Sequence, residues 1–362
     1  MGVAPARIRC SFWSYGSGRG RGNLVATIED AKNIGAEEWA NDAGSFFMTL
    51  PYDHPQIAAI KPLETHYEVA RWDGSAYQPI FVGLVEDYDA SDNEVVFYGT
   101  DYMGLLSGTI TASTTSYTNA TITTIIQSQL FTNPIGSATT ESNSRLGFMS
   151  AGTIDSVATT TTVISAYESR LHFLQSVIRI LQSNGTTRPQ LYVPRAAPTT
   201  FEFSSNRGSN QTDLPLEWGG LVNGFRYRPF GTEFATRVNA LGVKREGASV
   251  LYSTQTYASE ATYGWIARPA LYQDIVDQTA LDNLTLRDAR RYGKVGQGVY
   301  QRVRVHGLAP WDGYDLMDSF PVYISRGPVS VSGSLFTLWG LQWKLKPDGE
   351  EELNLNLLPK DE

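Results

Sequence analysis

Short apolar runs separated by turn-forming residues recur along this chain, and this feature limits its possible folds most strongly. Glu68–Trp72 and Pro79–Val85 flank the turn pair Asp73-Gly74, and Glu94–Tyr98 follows Ser91–Asn93. Runs of this length, bounded by Asp, Asn, Gly and Ser, are typical of β-strands joined in hairpins. Apolar and polar residues alternate imperfectly, which indicates that some strands are covered on both faces. The N-terminal part of the chain is therefore predicted to fold as a small antiparallel barrel or sandwich.

The composition agrees with a β-rich protein of several domains. The chain has 362 residues, of which 41% are hydrophobic, 12% aromatic and only 18% charged, and it contains 33 glycines. This mixture suits many turns and large contact surfaces, and it argues against a helical bundle. The formal net charge of −8 argues against a dedicated DNA-binding protein. The single cysteine, Cys10, excludes an internal disulfide framework and a cysteine-rich zinc module.

A polar, uncharged segment interrupts the β-pattern. No charged residue occurs from Tyr102 to Thr140, and a second Ser/Thr-rich stretch follows at Ser150–Ser165. Asn184-Gly185 is predicted to end a helix. We therefore expect an inserted α/β domain here rather than two disordered tethers. Two apolar helical faces support this expectation of an inserted domain. One consists of Ile122, Ile125, Ile126 and Leu130, and the other of Leu171, Leu174, Ile178 and Leu181.

The β-pattern returns in the second part of the chain. Apolar and polar residues alternate at Phe201–Phe203 and at Phe225–Arg228. One helix is predicted over Thr279–Tyr292, with Thr279 as its N-cap and Gly293 closing it. Four final strands are predicted, with a Pro347-Asp348-Gly349 turn between the last two, at Val299–His306, Pro321–Ser325, Leu335–Leu345 and Glu352–Leu357.

The predicted fold class is mainly β with α/β insertions, built as two small antiparallel β-barrel domains that each carry an inserted domain. The first barrel is expected to comprise residues 1–107 plus 200–228, with the inserted α/β domain at 108–199. The second barrel is expected at 229–258 plus 296–362, with a helical insertion at 259–295.

A search for chemistry-bearing motifs predicts no catalytic, cofactor-binding or metal-binding residues. The four histidines, His54, His66, His172 and His306, stand at unrelated spacings, so no metal site follows from local spacing. A Gly-x-Ser-x-Gly elbow and a Walker loop are both absent from the sequence. The glycine- and arginine-rich Ser17–Gly22 precedes no evident helix, so we interpret it as a flexible loop rather than a phosphate cradle. The chain is predicted not to be an enzyme and to need no cofactor.

Two residue sets leave an alternative open, namely a protein that binds or cleaves carbohydrate. Asp87, Asp89 and Asp92 with Glu86, or the run Glu350–Glu352, could supply an acid and a base. Both sets border turns, so solvated carboxylates are the favoured interpretation. Aromatic residues could form a sugar platform or core and subunit anchors, and their spread favours anchors; they are Trp13, Tyr15, Trp39, Trp72, Trp311, Tyr314, Trp339 and Trp343.

The N-terminal residues are rich in arginine. Arg7, Arg9, Arg19 and Arg21 precede the first acidic residue, Glu29, which favours a looped or arm-like start. This segment lacks the apolar core of a secretory signal, and no stretch of the sequence approaches the length of a membrane span. We expect a chain that is made without an export signal of its own.

Six passages spread over most of the chain match the order of elements in one known family. They are Trp39 with Ala43–Pro51, Phe81–Val85, Val95–Gly99, Met103–Leu106, Thr118–Thr121 before Ile125-Ile126, and Asn283–Arg291. In these passages the chain resembles the tail-tip hub proteins of long-tailed bacteriophages, minor tail proteins related to the baseplate hubs of contractile tails.

The resemblance implies a homotrimer whose two tube-like barrels per subunit form a ring between a sixfold tail tube and a threefold tip. Implied partners are the distal tail or tail tube protein, the tape-measure protein, and receptor-binding or tail-fibre proteins. Genomic DNA would pass through on ejection without sequence-specific binding. The expected location is the virion's tail tip, after synthesis in the host cytoplasm. The hub of a contractile injection system stays open as a second alternative, because it shares the fold.

Overall fold

The computed structural model describes residues 7–16, 20–109, 115–132, 147–157, 160–164, 169–182, 188–229, 234–242, 250–272, 275, 277–293 and 298–360. The fold is mainly β, as predicted. The N-terminal group of strands consists of β1 Ile8–Tyr15, β2 Arg21–Ile28, β3 Asn33–Trp39, β4 Asp42–Pro51, β5 Thr65–Trp72, β6 Tyr77–Ala90 and β7 Glu94–Asp101.

The N-terminal arm expected from the sequence is instead a strand of the main sheet. β1 pairs antiparallel with both β2 and β5. Ile8, Cys10 and Phe12 alternate into the core, and Cys10 and Phe12 are fully buried. This alternation outweighs the polar composition of the segment, because burying these side chains on one face fixes the strand. Residues 17–19 of the predicted glycine loop lie outside the described residues, whereas Arg21 and Gly22 belong to β2 rather than to a loop.

We call residues 115–207 the first insertion; its described residues form two small sheets, two α-helices and the π-helical turn Ser128–Thr132, which follows the first helix. Its strands are β8 Thr115–Ala120, β9 Ser150–Ile154, β10 Thr160–Ile164, β11 Gln190–Tyr192 and β12 Thr200–Ser204, and its helices are α1 Ile122–Gln127 and α2 Arg170–Gln182. Thr121 caps α1, because its hydroxyl accepts a hydrogen bond from the Thr124 N–H at 3.2 Å. Both predicted helical faces are confirmed, since their apolar residues are buried in a core that also covers Leu84 of β6. The predicted Asn184-Gly185 cap lies outside the described residues.

Two strands, β13 Leu216–Glu217 and β14 Val222–Pro229, then lead to the second insertion, residues 234–293. It consists of β15 Arg237–Leu241, β16 Tyr252–Thr256, α3 Glu260–Tyr263, β17 Ala267–Leu271 and α4 Gln278–Gly293. Leu281 and Leu284 of α4 are fully buried against this small sheet.

The predicted N-cap of α4 is wrong by two residues. Asp277, not Thr279, caps the helix, because its carboxylate accepts the Ala280 N–H at 2.8 Å. Either residue type can serve as an N-cap, so the sequence alone did not separate them.

The C-terminal strands are β18 Gly298–Val305, β19 Ser319–Arg326, β20 Val329–Leu345 and β21 Glu351–Pro359. The turn predicted before β21 is confirmed, with Gly349 at φ +81° and the Asp348 carboxylate accepting the Glu350 N–H at 3.0 Å. Only glycine adopts such a φ without strain.

One continuous sheet joins both ends of the chain. Its strand order is β14-β18-β21-β20-β3-β4-β7-β6-β5-β1-β2, with β19 paired to β20 and β13 to β19. The junction is the antiparallel pairing of β20 with β3, which runs from Gly340 opposite Trp39 to Leu345 opposite Ile34. One apolar core extends under both groups of strands, and Phe81 of β6 lies 5.9 Å from Trp343 of β20 between ring centroids.

Strand pairing groups several segments differently from the expected division. Residues 200–228 were expected in the first barrel, but β12 pairs with β9 and β11, and β14 pairs with β18. Residues 229–258 were expected in the second barrel, but β15 and β16 pair in the second insertion. Local alternation identifies a strand without identifying its partner, which explains the difference. The division into two barrels with two inserted domains stays a prediction.

Gly83 of β6 is expected to tolerate no side chain. A Cβ placed there would lie 1.9 Å from the Thr100 carbonyl oxygen and 2.7 Å from Cε1 of buried Tyr67. The Thr100 oxygen belongs to the neighbouring strand, so Gly83→Ala should lower the free energy of unfolding by about 1–3 kcal/mol in urea denaturation. Gly220→Ala is the control, because the nearest atom there lies 3.4 Å away. Equal stability of the two variants would contradict this prediction.

Candidate functional site

A charged cluster lies where the first insertion meets both groups of main-sheet strands. Arg195, after β11, donates from Nη2 to Glu38 Oε1 of β3 at 3.2 Å and to Asp315 Oδ1, before β19, at 3.0 Å. Arg207 forms a second ion pair with Asp315. The Arg195 guanidinium also lies 3.6 Å from the ring centroid of Trp311. We call Glu38, Arg195, Arg207 and Asp315 the charged junction, because they connect three distant segments of the chain.

Electrostatics favour the ionised forms of Asp315 and Arg195 but not that of Glu38. Burial raises the pKa of Asp315, but the nearby Arg195 and Arg207 outweigh this effect and the net pKa is lowered. Burial also raises the pKa of Glu38, and here the arginines offset it only in part. The two carboxylates in turn raise the pKa of Arg195 above its ordinary value, against the effect of burial. The arrangement is a set of ion pairs that joins segments of the chain rather than an acid–base pair, because each carboxylate has an arginine as its partner.

Hydrogen bonds to the backbone reinforce the same contact. The Asn41 amide donates to the Pro189 carbonyl at 3.1 Å and accepts the Leu191 N–H at 2.9 Å. Arg188 donates from Nη1 to the Met317 carbonyl at 2.9 Å. The first insertion is therefore attached to the N-terminal strands through Asn41 and to the C-terminal strands through Arg188.

A narrow cleft beside the charged junction contains a second buried carboxyl group, that of Asp101. Burial raises the pKa of Asp101 to about 7, although hydrogen bonds from the Gly104 N–H, at 2.8 Å, and the Gly44 N–H lower it. Glu38, Tyr67 and Arg195 also line this cleft, whose cavity volume is about 30 Å³. Such a volume holds about one or two water molecules, so the cleft has no room for a sugar ring.

The structure does not bring the predicted histidines together. His66 is fully buried, with Nδ1 2.8 Å from the Tyr102 hydroxyl, and His54 lies 3.3 Å from Asp30. His172, on α2, and His306, after β18, are exposed. Among the described residues, no three His, Cys, Asp or Glu side chains are grouped so that they could hold a metal ion. That the chain has no catalytic, metal or cofactor residues stays a prediction.

Cys10 is a free, fully buried thiol in β1. Burial raises its pKa to about 12, so the nucleophilic thiolate is scarce at neutral pH.

The predicted aromatic residues lie mainly in packed positions. Trp343 is only 2% exposed and donates from Nε1 to Glu351 at 3.0 Å. Trp311 donates from Nε1 to the Ile80 carbonyl at 3.0 Å and packs beside buried Tyr314. These contacts favour the anchor interpretation over a sugar platform. Trp265 of the second insertion, in contrast, has a side chain that is 69% exposed. No pattern in the sequence pointed to this residue.

The two predicted carboxylate sets differ in their surroundings. Asp87, Asp89 and Asp92 are exposed on the β6–β7 hairpin, as expected. Glu351 and Glu352 are instead ion-paired, Glu351 with Arg71 and Glu352 with Arg304. Arg304 lies beside Glu352 because its strand, β18, pairs with β21. Arg71 belongs to β5, which pairs with β1 and β6 rather than with β21, so local sequence gave no sign of its contact with Glu351.

No helix in the described part of the chain is both long and apolar enough to cross a membrane.

Comparison with known proteins identifies the fold. No family model matches the sequence, and no curated protein matches it. Among solved structures, the chain is similar to the 43 kDa tail protein of prophage MuSo2 from Shewanella oneidensis, with a TM-score of 0.65, 11% identity, and coverage of 98% of this chain and 99% of that one. A tail protein from Neisseria meningitidis MC58 gives a TM-score of 0.65 and 14% identity, over 97% of this chain and 96% of that one.

A third likeness is to a chain of the half-lidded Francisella PdpA-VgrG complex, with a TM-score of 0.56 and 7% identity. It covers 98% of this chain and 58% of that chain. The chain thus has the fold of phage tail proteins, which is shared with a VgrG complex. The resemblance seen in the sequence is confirmed at the level of the fold.

Proposed function

We propose that this chain is a non-enzymatic structural component of a phage tail tip. The observation that carries the proposal is the likeness to a phage tail protein over 98% of this chain and 99% of the other. A sheet that continues across the molecule and a charged junction that connects three segments both suit a part that transmits force. A cleft with room for one or two waters supports the same role, because it does not suit a polymer substrate.

In this proposal the chain forms a homotrimeric ring that closes or extends the tail tube. Each copy supplies two groups of main-sheet strands, so three copies supply six and adapt a sixfold tube to a threefold tip. The partners are the tail tube or distal tail protein, the tape-measure protein, and receptor-binding or tail-fibre proteins. Receptor contact would shift the ring and open its lumen, so that genomic DNA leaves without sequence-specific binding. The protein would reach the virion after synthesis in the host cytoplasm.

The likeness to a VgrG complex supports a second candidate, the hub of a contractile injection system. The two candidates differ in their neighbours rather than in their fold. A sheath protein in the same particle would favour the contractile system, and its absence beside a long tape-measure protein would favour a flexible tail.

Two measurements test the proposal, namely the position of the chain in purified tails and its molecular mass in solution. A tagged chain should copurify with tails and bind antibody at the tip in electron micrographs. The purified chain should give a mass near 120 kDa by light scattering, three times 39.9 kDa, with a central hole in class averages. Absence from tails would contradict the proposal. Saturable hydrolysis of a cell-wall polymer, lost in an Asp→Ala or Glu→Ala variant, would instead favour the carbohydrate-active alternative.

A further inference from the structure

Solvent-exposed apolar side chains are concentrated in the second insertion. Of the 13 large hydrophobic residues that are exposed in the described part of the chain, seven belong to this one insertion. Trp265 is the most exposed of them, at 69%, and Leu271 follows at 63%. Exposed apolar side chains that lie together on a surface mark a binding site more often than scattered ones do.

The three-stranded sheet of this insertion has one covered face and one open face. α4 packs against the face that carries Ala240 of β15. Successive side chains of a strand point to opposite faces, so Arg237, Asn239 and Leu241 lie on the other face, where each is partly or largely exposed. We call this second surface the open face. It also includes the directly paired residues of the neighbouring strands, which are Tyr252, Thr254 and Thr256 of β16 and Ala267, Pro269 and Leu271 of β17.

Trp265, two residues before β17, lies at one end of the open face. Its ring stacks on Arg237, whose guanidinium carbon is 4.3 Å from the ring centroid. Glu260 of α3 orients that guanidinium, because Arg237 donates from Nη2 to Oε1 at 2.9 Å and from Nε to Oε2 at 3.3 Å. A cation over an aromatic face is attracted by the negative charge of the π-system. One face of the indole therefore contacts Arg237, and most of the side chain is accessible to a ligand.

The backbone on both sides of Trp265 is fixed by Thr236, which is fully buried. The Thr236 hydroxyl donates to the Gly264 carbonyl at 2.7 Å and accepts the Ile266 N–H at 2.8 Å. The N–H groups of Thr236 and Arg237 donate to the Ile266 carbonyl at 2.9 and 3.1 Å. A side chain that is already held in place loses little conformational entropy when a ligand binds. Trp265 is thus both exposed and preorganised for a contact.

Neutral polar groups lie between the two ends of the open face. The Thr254 hydroxyl donates to Asn239 Oδ1 at 3.0 Å, which leaves the Asn239 Nδ2 group as a donor for a ligand. The charge of Arg237 is neutralised by Glu260. At the far end, Tyr252 provides a second ring, which is 57% exposed. The open face therefore has an aromatic ring at each end and uncharged hydrogen-bonding groups between them.

The size and charge of the open face restrict its ligand. From Arg237 to Leu241 it measures about 13 Å along β15, and its three strands span about 10 Å. Even with Trp265 included, the area is on the order of 200 Å², whereas a stable protein interface needs about 800 Å² from each partner. The lack of net charge also argues against a nucleic acid or another polyanion. A small neutral ligand with polar and apolar sides is complementary to this surface.

A saccharide chain has these properties. One side of a pyranose ring presents C–H groups, which pack against the electron-rich face of an aromatic ring. Its hydroxyl groups form hydrogen bonds with neutral amides and hydroxyls. We propose that the open face and Trp265 bind a neutral oligosaccharide without cleaving it, with one sugar ring on Trp265, hydroxyl groups on Asn239 and a further ring beside Tyr252. This inference goes beyond the proposed tail-tip role, because it adds a ligand site that lies wholly within the second insertion.

Binding of the purified full chain to neutral linear oligosaccharides tests the site. The probes are an array of chains built from glucose, galactose, mannose and N-acetylglucosamine, and the array member bound most tightly is then titrated by calorimetry. Saturable binding is expected, and Trp265→Ala should weaken it roughly tenfold or more. Trp265→Phe should lose less affinity, since it keeps an aromatic ring. Added salt should leave the affinity unchanged, because the ligand carries no charge.

Tyr52→Ala is the matched control. It removes an aromatic side chain that is 60% exposed but lies directly after β4, outside the second insertion. This variant should bind the oligosaccharide as the original chain does. Both Trp265→Ala and Tyr52→Ala should keep a melting temperature close to the original, because neither side chain is buried. A loss of binding in Trp265→Ala then reports a lost contact rather than unfolding.

The outcomes separate this inference from the proposed function. It is overturned if no oligosaccharide of the array binds, or if Trp265→Ala binds as tightly as the original chain. If the original chain binds no saccharide and Trp265→Ala is lost from assembled tails, the open face is a protein contact instead. If tails lack the original chain while the purified chain binds saccharide through Trp265, the tail-tip proposal fails and the saccharide site stands.

Discussion

Replacing Arg195 by methionine is expected to lower the free energy of unfolding by about 3 kcal/mol at pH 8. Arg195 is the cation that faces both Glu38 and Asp315, and its side chain is only 20% exposed. Methionine fills a similar volume but leaves two largely buried carboxylates near each other without this cation. The destabilisation should be smaller at pH 5, because protonation of Glu38, whose pKa is raised, relieves the repulsion.

Urea denaturation of matched variants measures this effect. Arg195→Lys keeps the positive charge but loses the planar guanidinium, so it should fall between the original chain and Arg195→Met. Arg237→Met is the control for loss of an arginine, since its ion pair with Glu260 lies in the second insertion away from the junction. That pair should contribute no more than about 1 kcal/mol. Equal losses for Arg195→Met and Arg237→Met would show that the charged junction has no special role.

Stability is expected to fall as the pH rises from about 4 to 7. The pKa of Asp101 is raised to about 7 in the folded protein, against 3.8 for the ordinary group, mainly by burial. Because the folded state binds this proton more tightly, the protein loses stability as the pH passes from the unfolded to the folded value, and the loss is complete above about pH 7. A shift of about three pKa units corresponds to at most about 4 kcal/mol. Glu38, with its raised pKa, contributes in the same direction.

The decisive variant for this pH dependence is Asp101→Asn. It removes the titrating group from the cleft, so the free energy of unfolding should vary much less between pH 4 and 8. Asp92→Asn is the control at an exposed carboxylate of the β6–β7 hairpin and should keep the original pH profile. A profile for Asp101→Asn as steep as that of the original chain would show that other groups carry the dependence.

The sequence predicted local structure well where a pattern was confined to one element. The helical faces at Ile122–Leu130 and Leu171–Leu181 are buried as expected, because a helix places residues three or four positions apart on one side. The strand at Glu94–Tyr98 and the final turn at Pro347–Gly349 were found for similar reasons. Each of these features depends on residues that are close together in the chain.

Features that depend on distant residues could not be predicted in this way. β3 pairs with β20, but the alternation of apolar and polar residues within either strand does not identify the strand it pairs with. The charged junction joins Glu38, Arg195 and Asp315 across separations of 157 and 120 residues, and each of them alone looks like a surface charge.

The pairing of β3 with β20 has a consequence for how the protein is made. β3 cannot be paired on this side until Trp343, which lies opposite Ala36 and 307 positions later in the chain, has been synthesised. At a synthesis rate of about 5–20 residues per second, the growing chain exposes this edge for roughly 15–60 s. An uncovered strand edge of this kind can capture another nascent chain on the same messenger. Yield in cells is therefore expected to depend on chaperones that hold the first strands until the last ones leave the ribosome.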